Sequence, residues 1–275
     1  MNNLVSTEWL AGHLADDDLC IFDCSWHLPT AKRDAKAEFA LAHISGAQFF
    51  DLDAISDSET KLPHMLPSAN KFGHSVSKIG ASNAKKIICY DCAGLFSAAR
   101  VWWMFKTFGH ENVAVLNGGM KKWRAENRHV QSGPALQPKP GNFHATPQPN
   151  SVKSIEEVAA ATALVIDARA PTRFRGEEAE PRPGVKPGHI PGARNIHYAT
   201  LLNDDGTLRK ASDLKSIFDK AEVNLEEPII TSCGSGVTAA ILSLALTELG
   251  AKDHALYDGS WAEWGASGRE IVTGP

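Results

Sequence analysis

Short apolar runs rich in β-branched residues alternate with longer stretches of helical composition along the whole chain. In the second half, Ala163–Asp167, Glu227–Ser232 and Ala255–Tyr257 read as strands, while Ser154–Thr162, Asp213–Ala221 and Val237–Leu249 read as helices. Ser154 and Glu157 have the spacing of a capping box, which places the start of the first of these helices. Strands that alternate with helices predict an α/β fold, a parallel sheet with helices on both faces.

The pattern occurs twice. Leu19–Asp23 resembles Leu164–Asp167, and Ala42-His43-Ile44-Ser45-Gly46-Ala47 resembles Gly188-His189-Ile190-Pro191-Gly192-Ala193. Ile87–Asp91 answers Ile229–Ser232, and Asn117–Trp123 answers Asp258–Trp264. Matches that keep the same order along the chain predict a duplicated domain. Between the halves, Gln131–Asn150 holds Pro134, Pro138, Pro140, Pro147 and Pro149, the composition of a semi-rigid linker. The expected organisation is a first domain over 1–132, a linker over 133–150 and a second domain over 151–275.

Composition narrows the partners. At 275 residues and 43 % hydrophobic content the chain is long and apolar enough for two cores. A net charge of −4 with no basic run argues against nucleic acid and against a membrane surface, so a small molecule or a protein is the expected partner. No apolar stretch approaches the ~18 residues of a membrane span, and Asp16-Asp17-Asp18 stands where a secretion signal would be basic and then apolar. Five cysteines, an odd number, suit a reducing compartment, and a cytoplasmic location is expected.

The chemistry concentrates in Cys233-Gly234-Ser235-Gly236-Val237-Thr238-Ala239-Ala240, which follows the apolar Pro228–Thr231 and precedes a helical run. Cys233 is thereby predicted on the turn from a strand to a helix, where ligands of open α/β sheets bind. Two glycines let the turn direct its N–H groups inward, and the following helix adds the positive end of its dipole. A thiol so placed is expected to be partly ionised at neutral pH, since such surroundings lower a cysteine pKa from about 8.5 into a range of roughly 3.5–7.5.

The tandem pattern and this loop resemble the rhodanese-like sulfurtransferases over nearly the whole chain, and the loop is most like that of members using 3-mercaptopyruvate. Members that prefer thiosulfate, a dianion, usually carry charged residues just after the cysteine, where this chain has Gly234 and Ser235. The resemblance implies two rhodanese-like domains in tandem, with Cys233 as nucleophile and persulfide carrier. It implies that Gly234, Gly236, Val237 and Thr238 shape the anion-holding loop, and that Arg173 and Arg182 hold the substrate carboxylate and carbonyl. It further implies that Ser235, His64 and Asp53 form a proton relay, which would draw residues of both halves into one site. The sulfur acceptor would be a thiol such as thioredoxin or glutathione, or cyanide. No cofactor or metal is expected.

Cys92, in Asp91–Ala98, falls opposite Cys233 in the sequence comparison, but Asp91 beside it would raise its pKa, so it reads as non-catalytic. Cys89 with Cys92 and Cys20 with Cys24 invite a zinc site, yet Cys20 and Cys89 fall in predicted buried strands, where cysteine behaves as a small hydrophobe. Trp102, Trp103 and Trp123 read as core, with nothing basic around them to make a nucleic-acid platform. Ala239 stands where cysteine phosphatases carry their phosphate-binding arginine, which disfavours that chemistry. A non-catalytic binding module would have no use for an activated thiol.

Overall fold

The computed structural model describes every residue from Met1 to Pro275. The chain divides into two compact units. Unit 1 comprises Met1–Ser58, Pro67–Gln148 and Asn203–Leu208, and unit 2 comprises Glu59–Leu66, Pro149–Leu202 and Arg209–Pro275.

Each unit is built on a five-stranded parallel sheet with one shared strand order. In unit 1 the strands lie side by side as Leu4–Val5, Val113–Leu116, Lys86–Tyr90, Leu19–Asp23 and Gln48–Phe49. In unit 2 the order is Val152–Lys153, His254–Tyr257, Ile229–Ser232, Leu164–Asp167 and Arg194–Asn195, so the duplication read in the sequence is also a duplication of topology. Within each sheet the chain moves outward in opposite directions from the two neighbouring strands Leu19–Asp23 and Lys86–Tyr90, or Leu164–Asp167 and Ile229–Ser232. That reversal opens a crevice at the strands' C-terminal ends. In unit 2 the register pairs Asp167 with Ser232, which puts Cys233 at the crevice.

Local sequence explains the elements. The Ser154 hydroxyl accepts from Glu157 N at 3.2 Å and the Glu157 carboxylate accepts from Ser154 N at 2.8 Å, closing the predicted capping box over the helix Ile155–Ala160. Helix Ala239–Glu248 is buried from Ala239 through Leu246, as its uniformly apolar sequence requires. It starts two residues later than expected, because Val237 and Thr238 belong to the loop before it.

The repeated histidines are structural. His43 donates through Nδ1 to the Phe39 carbonyl at 2.9 Å with its ring stacked on Phe39, and His189 does the same to Phe174 at 2.9 Å. The proline-rich segment is docked instead of free: Gly141 N donates to Ser77 O, Phe143 N to Ser77 Oγ and Thr146 N to Phe108 O, while the Phe143 ring is buried. Prolines deny this stretch a regular ladder of its own, and it is tied to unit 1 through these individual N–H groups instead.

Candidate active site

Cys233 follows the central strand Ile229–Ser232 and is 2 % exposed. Its carbonyl accepts from Trp261 N at 2.9 Å, and that of Gly234 accepts from Ala262 N at 3.0 Å, which fixes both ends of the turn. Ser260 closes it. Its hydroxyl accepts from Cys233 N (3.2 Å) and Gly236 N (3.1 Å) and donates to Tyr257 O (2.8 Å). Gly236 has φ +76°, a left-handed backbone that glycine adopts without strain, and it turns the loop back toward the helix.

The equivalent turn of unit 1 corrects the sequence alignment. Asp23 pairs with Tyr90 as Asp167 pairs with Ser232, and Met120 N donates to Asp91 O as Trp261 N donates to Cys233 O. Asp91, not Cys92, therefore occupies the position of Cys233, and Cys92 that of Gly234. Adjacent residues compete for one alignment column, and a shared cysteine drew the match one place too far. The Asp91 carboxylate then accepts four backbone N–H groups of its own loop, from Ala93 and Gly94 at 2.9 Å, Phe96 at 2.6 Å and Ala98 at 2.8 Å. The turn is thus an anion cradle, filled in unit 1 by a built-in carboxylate.

Around Cys233 the structure gathers most of the expected residues. The Arg173 guanidinium lies over Gly234: a Cβ at residue 234 would stand 3.3 Å from Arg173 Nη2. Arg182 is half-buried, and burial together with the neighbouring Arg173 charge pushes its pKa below the usual arginine value while Cys233 and Glu180 act in the opposite sense. Two guanidinium groups beside one thiol form a cationic mouth suited to a carboxylate and an adjacent carbonyl.

His64 belongs to unit 2, since Glu59–Leu66 folds into that unit. Its Nδ1 is 3.1 Å from Ser235 Oγ, and both residues are buried. Its backbone is left-handed at φ +58°, and Leu66 N donates to Asp258 Oδ2 at 2.6 Å just beyond it. Asp53 lies in unit 1, on the short helix Leu52–Ile55, where its Oδ2 accepts from the Trp26 indole at 3.1 Å.

Three residues at the site went unread in the sequence. Arg169 is buried over the Trp261 ring at 4.4 Å, with its guanidinium bonded to Asp167, to the Gly188 carbonyl at 2.8 Å and to Glu180 Oε1 at 2.8 Å. Glu180, whose side chain is 3 % exposed, also takes Arg173 through Nε (3.2 Å) and Nη2. A chain of charges, Asp167, Arg169, Glu180 and Arg173, thus holds the mouth in place. Ser260 is the third, and the repeat carried a signal for it. Unit 1 has Gly119 there, where a Cβ would fall 2.4 Å from Asp91 O, and only the cysteine-bearing half replaces that glycine by a hydroxyl.

Comparison with known proteins identifies the family. Residues 6–126 and 151–267 each match the description "Rhodanese-like domain". The chain belongs to the rhodanese family. It is 42 % identical to the 3-mercaptopyruvate sulfurtransferase of Escherichia coli (strain K12), over 95 % of this chain and 94 % of that one. It is also 42 % identical to thiosulfate/3-mercaptopyruvate sulfurtransferase 1, mitochondrial, of Arabidopsis thaliana, over 95 % of this chain and 75 % of the relative. The crystal structure of SseA from Escherichia coli, described as a 3-mercaptopyruvate sulfotransferase, superposes with a TM-score of 0.87 at 39 % identity, covering 95 % of this chain and 99 % of that one. No helix of this chain is long and apolar enough to cross a membrane.

Proposed function

We propose that this chain takes sulfur from 3-mercaptopyruvate through a persulfide on Cys233, releases pyruvate, and passes the sulfur to a thiol acceptor or cyanide. The observation that carries the reading is the Arg173 guanidinium lying over the bare Gly234 beside Cys233. A longer side chain at residue 234 would displace that guanidinium, so the carboxylate clamp and an uncharged loop go together. This favours an α-keto acid over thiosulfate.

In the proposed reaction the Cys233 thiolate attacks the substrate sulfur, an S–S bond forms, and the C–S bond breaks with its electron pair passing to carbon. The three-carbon fragment leaves as the enolate of pyruvate, its oxygen facing Arg173 and Arg182, and takes a proton at carbon to become pyruvate. Ser235 with His64 handles that proton, and Asp53 is assigned as the carboxylate of the relay. The resulting persulfide anion rests in the loop cradle. Unit 1 supports this by analogy, because an aspartate side chain (Cβ–Cγ–Oδ) places its anionic atom the same number of bonds from Cβ as a cysteine persulfide (Cβ–Sγ–Sδ), whose longer bonds carry the outer sulfur somewhat deeper into the loop. The donors of Ala93 and Phe96 that hold Asp91 correspond to those of Ser235 and Thr238 around the extra sulfur. A second thiol, from thioredoxin or glutathione, then attacks the outer sulfur and restores Cys233. All five cysteines are free thiols, which suits a reducing compartment, and we assign the chain to the cytoplasm.

The direct test incubates the reduced protein with 3-mercaptopyruvate or thiosulfate and measures the intact mass and pyruvate. One added sulfur on the Cys233 peptide, formed faster from 3-mercaptopyruvate, is the expected result; faster loading from thiosulfate would transfer the reading to that donor.

Three variants separate binding from proton transfer. Arg173→Ala is expected to raise KM for 3-mercaptopyruvate at least about tenfold, the cost of losing a charge-assisted bidentate contact. Glu180→Gln should raise KM less, since Arg173 stays but loses its orienting carboxylate; an unchanged KM in both variants removes the clamp. His64→Gln is expected to lower kcat about 10²-fold with little change in KM, as the loss of a general acid would. A KM effect without a kcat effect would make His64 a binding residue.

A further inference from the structure

Unit 1 carries, at the C-terminal end of its own sheet, a cluster of ligating side chains that sulfur transfer does not use. The shared topology says what these positions became. Asp91 stands for Cys233 and Cys92 for Gly234, and the matching Phe39–His43 and Phe174–His189 stacks place Glu38 where unit 2 has Arg173. The anion-seeking arginine is thus replaced by a carboxylate and the bare glycine by a thiol, while the loop cradle is already neutralised by Asp91. The charge preference of the position is thereby reversed, from anion toward cation.

The geometry fits that conversion. His27 Nε2 lies 3.1 Å from Glu38 Oε2 and 3.9 Å from Cys92 Sγ, and one ligand atom from each residue falls within 4.8 Å of the others. A tetrahedral ion with bonds of roughly 2.0–2.3 Å spaces its ligands about 3.3–3.8 Å apart, so these separations approach the edges of such a site. A cation already sits there. The Arg33 guanidinium bonds both oxygens of Glu38 at 2.7 Å and stands 3.7 Å from Cys92 Sγ. Arg33 is 48 % exposed and follows Lys32, which is in the left-handed conformation, so it can swing to water at the modest cost of one surface ion pair. A cavity of about 590 Å³ lined by Ser25, Arg33, Glu38 and Cys92 opens beside the cluster, with room for a water as fourth ligand.

We propose that His27, Glu38 and Cys92 form a binding site for a borderline-soft divalent cation of the Zn²⁺ type, separate from the cysteine chemistry of unit 2. On binding, the Cys92 S–H bond is replaced by a sulfur–metal bond and its proton leaves to solvent, the His27 ring proton facing Glu38 moves to Nδ1 by way of solvent so that Nε2 gives its lone pair, and Arg33 releases Glu38. This is not the cysteine set that the sequence suggested: Cys20 and Cys24 are buried thiols that donate to the Gly80 and Phe22 carbonyls.

The test titrates Zn²⁺, against a chromophoric chelator, into the reduced Cys233→Ser protein, and repeats the titration with Co²⁺ to read its spectrum. One equivalent of metal and a thiolate-to-cobalt charge-transfer band are expected. Cys92→Ser and Glu38→Gln should each weaken binding at least about tenfold, and Arg33→Ala, which removes the competing cation, should tighten it several-fold. Thermal melts confirm that each variant is folded, and Cys92→Ser is close enough in size to remain so. Parent affinity in Cys92→Ser or Glu38→Gln, a cobalt spectrum without a thiolate band, or binding no tighter in Arg33→Ala would each overturn the proposal.

Discussion

Replacing Cys233 by serine is expected to abolish pyruvate release from 3-mercaptopyruvate and sulfur loading of the protein while leaving the fold unchanged. The fold expectation follows from what holds the loop. Its turn is fixed by backbone groups, Trp261 N on Cys233 O and Ser260 Oγ on Cys233 N and Gly236 N, and none of these involves the thiol. The chemical expectation follows from the nucleophile. A serine hydroxyl is scarcely ionised near neutral pH, lacks the polarisable sulfur that attacks sulfur, and could not form the persulfide. Cys92 offers no detour, because Asp91 holds the loop apex of unit 1 and raises the thiol's pKa together with burial. Turnover, pyruvate release and intact mass are the measurements. Residual turnover above about a thousandth of the parent rate, a loss smaller than removing a nucleophile normally causes, would refute Cys233 as the nucleophile.

The sequence made the fold legible because both periodicity and repetition were present. Ile229–Ser232 is a strand in the expected place because its residues are apolar and β-branched. Cys233 was legible for a related reason, since a thiol between a buried strand and a buried helix has few places to lie. The misread parts share one physical cause: they depend on where the backbone goes instead of what the residues are. Cys92 was aligned one residue early because the end of the strand at Tyr90, set by its pairing with Asp23, is invisible to composition. His64 comes from the first half of the sequence yet folds with the second, because Glu59–Leu66 joins unit 2. Glu180 is one of three acidic residues in Glu177–Glu180, and nothing in that run sets it apart. Only the fold shows its carboxylate buried between two arginines.

Arg169→Leu is expected to destabilise the chain by about 3–5 kcal/mol, the usual result of removing one partner from a buried charge network. In the parent the Arg169 side chain is 1 % exposed, and it serves Asp167, Glu180 and the Gly188 carbonyl at once while stacking on Trp261. Leucine would keep some packing against the indole. It would also leave two carboxylates, each 3 % exposed, without the cation that compensates their loss of water. Glu180 retains Arg173, so the heavier penalty falls on Asp167, whose other contact is the backbone N–H of residue 169. A loss of this size lowers the melting temperature by roughly 10 °C for units of this length, and calorimetry would show it. The double variant Arg169→Leu with Glu180→Leu should recover part of the loss, because it removes one stranded charge together with its partner. It should still bind 3-mercaptopyruvate poorly, since Arg173 would have lost its anchor. Melting of Arg169→Leu within about 2 °C of the parent would show that the buried carboxylates had found other compensation, and would end the role assigned here to the charge chain in holding Arg173 over the cysteine loop.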